Sequence, residues 1–68
     1  MAWTWGQVVA LNAIICAASG QPGGVRCPIN YHSSVIDWPE KIAQEHPFIE
    51  GNQRTAACLA ICLTLEKV

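Results

Sequence analysis

Eight consecutive residues without a polar side chain, Ala56 to Leu63, constrain this chain more than any other feature. Read as a helix, the run continues through Leu65 and leaves almost no polar face. A helix that is apolar all round is buried on all sides. The pattern predicts a helix from Asn52 or Gln53 to about Lys67. The run is far short of the roughly 20 apolar residues that a membrane span requires. Its cover must therefore be protein: the middle of the chain, a second copy or a partner.

Two further helices follow from local signals. Thr4 and Gln7 form a capping-box pair, and Val8, Leu11, Ile15 and Ala18 then recur at helical spacing, with Ala10 and Ile14 widening the stripe. A first helix from Trp5 to Ala18 is expected. It is stopped by Ser19-Gly20-Gln21-Pro22-Gly23-Gly24, where glycine suits a left-handed cap and proline cannot continue the helix. Asp37 is placed as an N-cap with Glu40 three residues on, and Pro39 is tolerated in a first turn. This predicts a helix from Trp38 to Glu45, ended at His46 by Pro47, with Ile42 facing the core beside Trp38 and Ala43. Arg26-Cys27-Pro28 must be extended or turning, and Ser33 to Ile36 reads either as a strand-like stretch or as a helical turn. The expected architecture is a single all-α domain over residues 1–68, a small bundle of three to four helices.

Composition narrows the function classes. With 51% hydrophobic and 13% charged residues, the chain has apolar matter for a core and little charge to hold it extended. A domain this short buries only about 60% of its unfolded surface, so self-association would relieve it, and a homo-oligomer is expected. Arg26, Lys41, Arg54 and Lys67 are scattered, which argues against nucleic-acid binding, since that needs several phosphate contacts. Residues 1–15 hold no Lys or Arg, so the basic region of a signal peptide is missing. A cytoplasmic location with reduced thiols is the expectation. Cys58 and Cys62 share a helix face, and Cys16, Cys27, His32 or His46 could complete a zinc site, but no cysteine pair sits on a tight knuckle. Small buried cysteines packed like alanine are the simpler reading.

Residues 46–54 carry the chemistry. Gly51 lets the chain turn tightly and brings backbone N–H groups towards a ligand. The helix that follows presents unpaired N–H groups and a positive dipole end, an anion site. Arg54 in its first turn adds a cationic fork suited to phosphate. Glu50 beside an anion site makes sense if a cation joins them, because a carboxylate with phosphate oxygens is the usual way to hold Mg²⁺. His46 supplies a proton acceptor. Together they suggest phosphoryl or nucleotidyl transfer to a hydroxyl.

The segment His46-Pro47-Phe48-Ile49-Glu50-Gly51-Asn52-Gln53-Arg54 resembles the Fic/Doc signature, His-x-Phe-x-Asp/Glu-Gly/Ala-Asn-Gly/Lys-Arg, at His46, Phe48, Glu50, Gly51, Asn52 and Arg54. Thr55-Ala56 leading into an apolar helix looks like the death-on-curing branch. Val9 to Gly23, a helix and a Gly-x-Pro-Gly turn, is similar to the first helix and turn of Doc-type toxins. The resemblance implies a Fic/Doc-like core with the motif loop before a buried C-terminal helix. His46 would be the general base towards a protein Ser, Thr or Tyr hydroxyl. Glu50 would hold Mg²⁺, Gly51, Asn52, Gln53 and Arg54 would bind the phosphates of ATP, and Phe48 would anchor the loop. The implied partners are a protein target and an antitoxin-like protein. The alternative is a non-catalytic Fic/Doc-derived interaction protein. Gln53 stands where the family carries Gly or Lys, and Ala57 where AMP-transferring members carry a second Arg. Only about twenty residues separate Gly24 from His46, where the family usually places two or more helices.

Overall fold

The computed structural model describes residues 3–28 and 37–66. Among the described residues three helices, α1 (Trp5–Ala18), α2 (Trp38–Glu45) and α3 (Asn52–Glu66), make up an all-α bundle, and none is long and apolar enough to cross a membrane. The reading of Ser33 to Ile36 lies outside the described residues, as does His32.

Caps set the helix ends. The Gln7 N–H donates to Thr4 Oγ1 at 3.2 Å and the Thr4 N–H donates to Gln7 Oε1 at 2.9 Å, a complete capping box. Such a reciprocal pair satisfies two donors that the first turn leaves unmatched. α1 ends at Ser19, and Gly20 follows at φ +70°. Asp37 accepts from the Glu40 N–H at 3.4 Å to start α2, and His46 closes it in the left-handed region at φ +50°, ψ +57°.

α3 is the shared wall, against which α2 packs closely and α1 more lightly. The core joins Val8, Trp38, Ile42, Phe48, Ala56 and Leu59. Trp5 stacks between Trp38 (centroids 5.9 Å apart) and Phe48 (5.5 Å), and the Trp38 indole N–H donates to the Trp3 carbonyl at 3.0 Å. Ring stacks of this kind add about 0.5–1.5 kcal/mol beyond the area they bury. They fasten the start of α1 to α2 and to the loop that precedes α3.

Four expectations are corrected. α3 is not covered all round: Thr55, Ala56 and Leu59 are buried, whereas Ile61 and Leu65 are 61% and 67% exposed. Two short helices can cover only one side of a 15-residue helix. On α1 the buried stripe is Val8, Asn12 and Cys16, with Ile14 67% exposed and Leu11 and Ile15 half-buried. The helix is rotated to bring Asn12 inward, where its amide bonds the loop before α3. Ala43 is exposed, and Ile42 and Trp38 make the buried face of α2 without it. The reading of the cysteines as small buried groups holds for Cys16 alone: Cys58 and Cys62 are half-buried and Cys27, on the exposed segment beside the loop, meets solvent.

Candidate functional site

The loop between α2 and α3 is held on three sides. On the first, residues 24–27 run alongside it. Val25 bridges Phe48 in antiparallel fashion. The Ile49 N–H donates to the Gly24 carbonyl at 3.1 Å, and the N–H groups of Arg26 and Cys27 donate to the Pro47 carbonyl at 2.7 and 3.1 Å. The Arg26 guanidinium donates to the His46 carbonyl at 2.7 Å. That contact stabilises the His46 peptide in a conformation uncommon outside glycine.

From below, α1 supplies the second support. Asn12 Nδ2 donates to the Glu50 carbonyl at 3.0 Å and to Thr55 Oγ1 at 3.1 Å, and the Cys16 thiol reaches the same carbonyl at 3.5 Å. Gly51 follows at φ +75°, and a Cβ there would stand 3.0 Å from Cys16 Sγ and 3.4 Å from Asn12 Nδ2. Glycine is thus required twice at this position, by backbone conformation and by the close approach of α1.

The third support is internal. Asn52 accepts from the Phe48 N–H at 2.9 Å and donates to the Phe48 carbonyl at 2.8 Å. Its amide oxygen and one amide hydrogen close the loop. The second amide hydrogen and the backbone N–H of Asn52 are the donors left for an anion. The Thr55 N–H donates to the Gly51 carbonyl at 2.9 Å, the first bond of the α3 ladder. The N–H groups of Asn52, Gln53 and Arg54 precede it and have no partner within the helix.

These supports leave a depression of about 320 Å³ lined by Gln21, His46, Ile49, Glu50, Gly51, Asn52, Gln53 and Arg54. All six residues named from the sequence as base, metal ligand or phosphate ligands line it. Its volume is at the low end of the roughly 300–1,000 Å³ typical of small-molecule sites. His46, Glu50, Gln53 and Arg54 are exposed, so their heads are free to meet a ligand from solvent. Electrostatically the depression is mixed: the N-terminus of α3 and Arg54 attract an anion, and Glu50 attracts a cation.

Among the described residues no three His, Cys, Asp or Glu side chains converge. A zinc site is therefore not assembled there. Glu50 is the one carboxylate in the depression. A single carboxylate fits Mg²⁺ when the ion arrives with phosphate oxygens and water, the common arrangement for nucleotide-bound Mg²⁺.

Asn12, Gln21 and Arg26 are not picked out by the sequence reading, and Cys16 enters it only as a candidate zinc ligand, not as a support of this loop. Asn12 did carry a signal: it stands four residues after Val8 and four before Cys16, a polar side chain on a helix row of small apolar ones. Arg26 carried none, because its partner is a backbone carbonyl twenty residues away. No family model matches the chain, and neither do any curated proteins or solved structures.

Proposed function

We propose that this chain is a Doc-like transferase, moving a phosphoryl or AMP group from ATP to a protein hydroxyl. The observation that carries the reading is the convergence of His46, Glu50, Gly51, Asn52, Gln53 and Arg54 on one depression at the N-terminus of α3. His46 takes the proton of the target Ser, Thr or Tyr hydroxyl as its oxygen attacks phosphorus. ADP leaves if the γ-phosphoryl is transferred, and pyrophosphate leaves if AMP is. The N–H groups of Asn52, Gln53 and Arg54, with the Arg54 guanidinium, face the charge that builds on the phosphate oxygens. Mg²⁺ held by Glu50 and those oxygens would neutralise part of that charge. Gln53 adds a neutral donor where a lysine would add charge, so a weak nucleotide affinity is expected.

Calorimetric titration with ATP–Mg²⁺ tests the binding step, and transfer from α- or γ-labelled ATP onto protein tests the chemistry. Arg54→Ala should weaken binding. His46→Ala should keep binding while slowing transfer about 10²–10⁴-fold, the range for general-base catalysis. Absence of binding at about 1 mM nucleotide, equivalent to about −4 kcal/mol, overturns the reading.

One observation favours a second reading, a non-catalytic Fic/Doc-derived protein of the toxin–antitoxin type that acts by protein–protein binding in the cytoplasm. Ala60, Ile61, Thr64 and Leu65 line an apolar groove of about 250 Å³ on the uncovered side of α3. On this reading the chain is an oligomer or part of a complex. Light scattering that gives a monomer at every concentration, with no partner retained in pull-downs, counts against it.

A further inference from the structure

Cys58 and Cys62 stand four residues apart on α3, so they occupy successive turns of one face. Cβ atoms at this spacing are about 5–6 Å apart. Helical side chains lean towards the N-terminus, which carries Cys62 Sγ back over Cys58. Both thiols are free and half-buried. Helical periodicity places them on the flank of α3 between the buried Thr55–Leu59 stripe and the exposed Ile61–Leu65 stripe. The pair is thus reachable from solvent but walled by apolar groups on both sides. Cys16 lies against the Glu50 carbonyl and Cys27 lies on the residue 24–27 segment, so neither belongs to this flank.

We propose that Cys58 and Cys62 form a two-thiolate site for a soft monovalent cation, Cu(I). Two sulfur ligands on one helix face, with no third His, Cys, Asp or Glu grouped with them among the described residues, do not make the four-ligand shell of structural zinc. They do suit a d¹⁰ ion that prefers thiolates and accepts two ligands. Binding forms two Cu–S bonds, breaks two S–H bonds and releases two protons to solvent. Copper stays Cu(I), and the bound unit carries one net negative charge. The site is separate from the depression at residues 46–54 and does not depend on nucleotide chemistry.

The test is an anaerobic Cu(I) titration of the Cys27→Ser chain against a chromogenic Cu(I) chelator. One Cu(I) per chain is expected, with release of two protons and a thiolate-to-copper band in the ultraviolet. Loss of an outer-shell partner costs a metal site about 10–100-fold in affinity. Cys58→Ser and Cys62→Ser each remove a direct ligand and should cost more than about 100-fold. Circular dichroism checks that the variants fold. X-ray absorption on copper-loaded Cys27→Ser chain gives an answer that does not depend on them, and two sulfur neighbours are expected. A nitrogen or third sulfur neighbour, one copper shared by two chains, or either serine variant keeping affinity within about tenfold overturns the proposal.

Discussion

Asn12→Ala removes the one α1 side chain, among the described residues, that hydrogen-bonds both the loop and α3. Asn12 is 1% exposed, and its amide serves two acceptors, the Glu50 carbonyl and Thr55 Oγ1. Each bond is worth about 1 kcal/mol net, and stranding a buried acceptor costs a further 1–3 kcal/mol or so. The Glu50 carbonyl keeps a weak thiol contact from Cys16 at 3.5 Å, but Thr55, fully buried, loses its donor. The expected loss is about 2–4 kcal/mol. A domain of this length has only about 3–10 kcal/mol of stability in total, at about 0.05–0.15 kcal/mol per residue. The variant should therefore lose from about a fifth to all of its stability. Urea unfolding followed by tryptophan fluorescence is the assay, because the Trp5 stack on Trp38 and Phe48 is lost with the core. With a slope near 1 kcal/mol per molar urea, the midpoint should fall by about 2–4 M or vanish. A double-mutant cycle with Thr55→Val isolates the shared bond, with a coupling of about 1 kcal/mol expected. A loss within about 0.5 kcal/mol, the range of ordinary surface changes, or zero coupling to Thr55, would refute the reasoning.

Gly51→Ala and Gly20→Ala separate conformation from crowding. Both glycines have φ near +70°, but only at Gly51 does an added Cβ meet other atoms, with Cys16 Sγ at 3.0 Å. Gly20→Ala should cost about 1–2 kcal/mol from the left-handed backbone, and Gly51→Ala measurably more in the same urea assay. Asn52→Ala forfeits both bonds to the Phe48 backbone and should lose about 1–3 kcal/mol, whereas Asn52→Asp keeps the acceptor for the Phe48 N–H and should lose less. The Cys58 thiol is held above its usual range, first by burial and then by the neighbouring Cys62 thiol. A thiol that ionises at higher pH when folded binds more protons in the native state. Its stabilisation is complete below the unfolded thiol range, about 8.5, and is lost as pH rises through the folded value. Stability of the unmodified chain should therefore fall more steeply above about pH 8.5 than that of Cys58→Ala. Chemical denaturation across that interval decides it.

Helix positions were legible because their signals are local. Thr4 with Gln7, Asp37 with Glu40, and Pro47 after His46 each act within four residues, and α1 and α2 begin and end where those caps place them. α3 begins at Asn52, as its polar start indicates, and runs to Glu66, the last described residue. The motif residues too share one depression because they are neighbours in sequence, on a loop that Gly51 turns. What faces what was not legible. Hydrophobic periodicity on α1 points to Val8, Leu11, Ile15 and Ala18, and of these only Val8 is fully buried. The buried row runs from Val8 through Asn12 and Cys16, because Asn12 finds its acceptors 38 and 43 residues further along. The apolar composition of α3 argued for burial on all sides, but only contact with α1 and α2 decides which residues are covered, and Ile61 and Leu65 are not. Likewise the partnering of residues 24–27 with the loop at 46–49 rests on backbone carbonyls, which every sequence carries alike and none can advertise. Caps, turns and the order of motif residues were thus determined by sequence alone. The packed face, the brace beneath Gly51 and the uncovered side of α3 were decided by tertiary structure, where a hydrogen bond or an apolar contact depends on how distant segments meet.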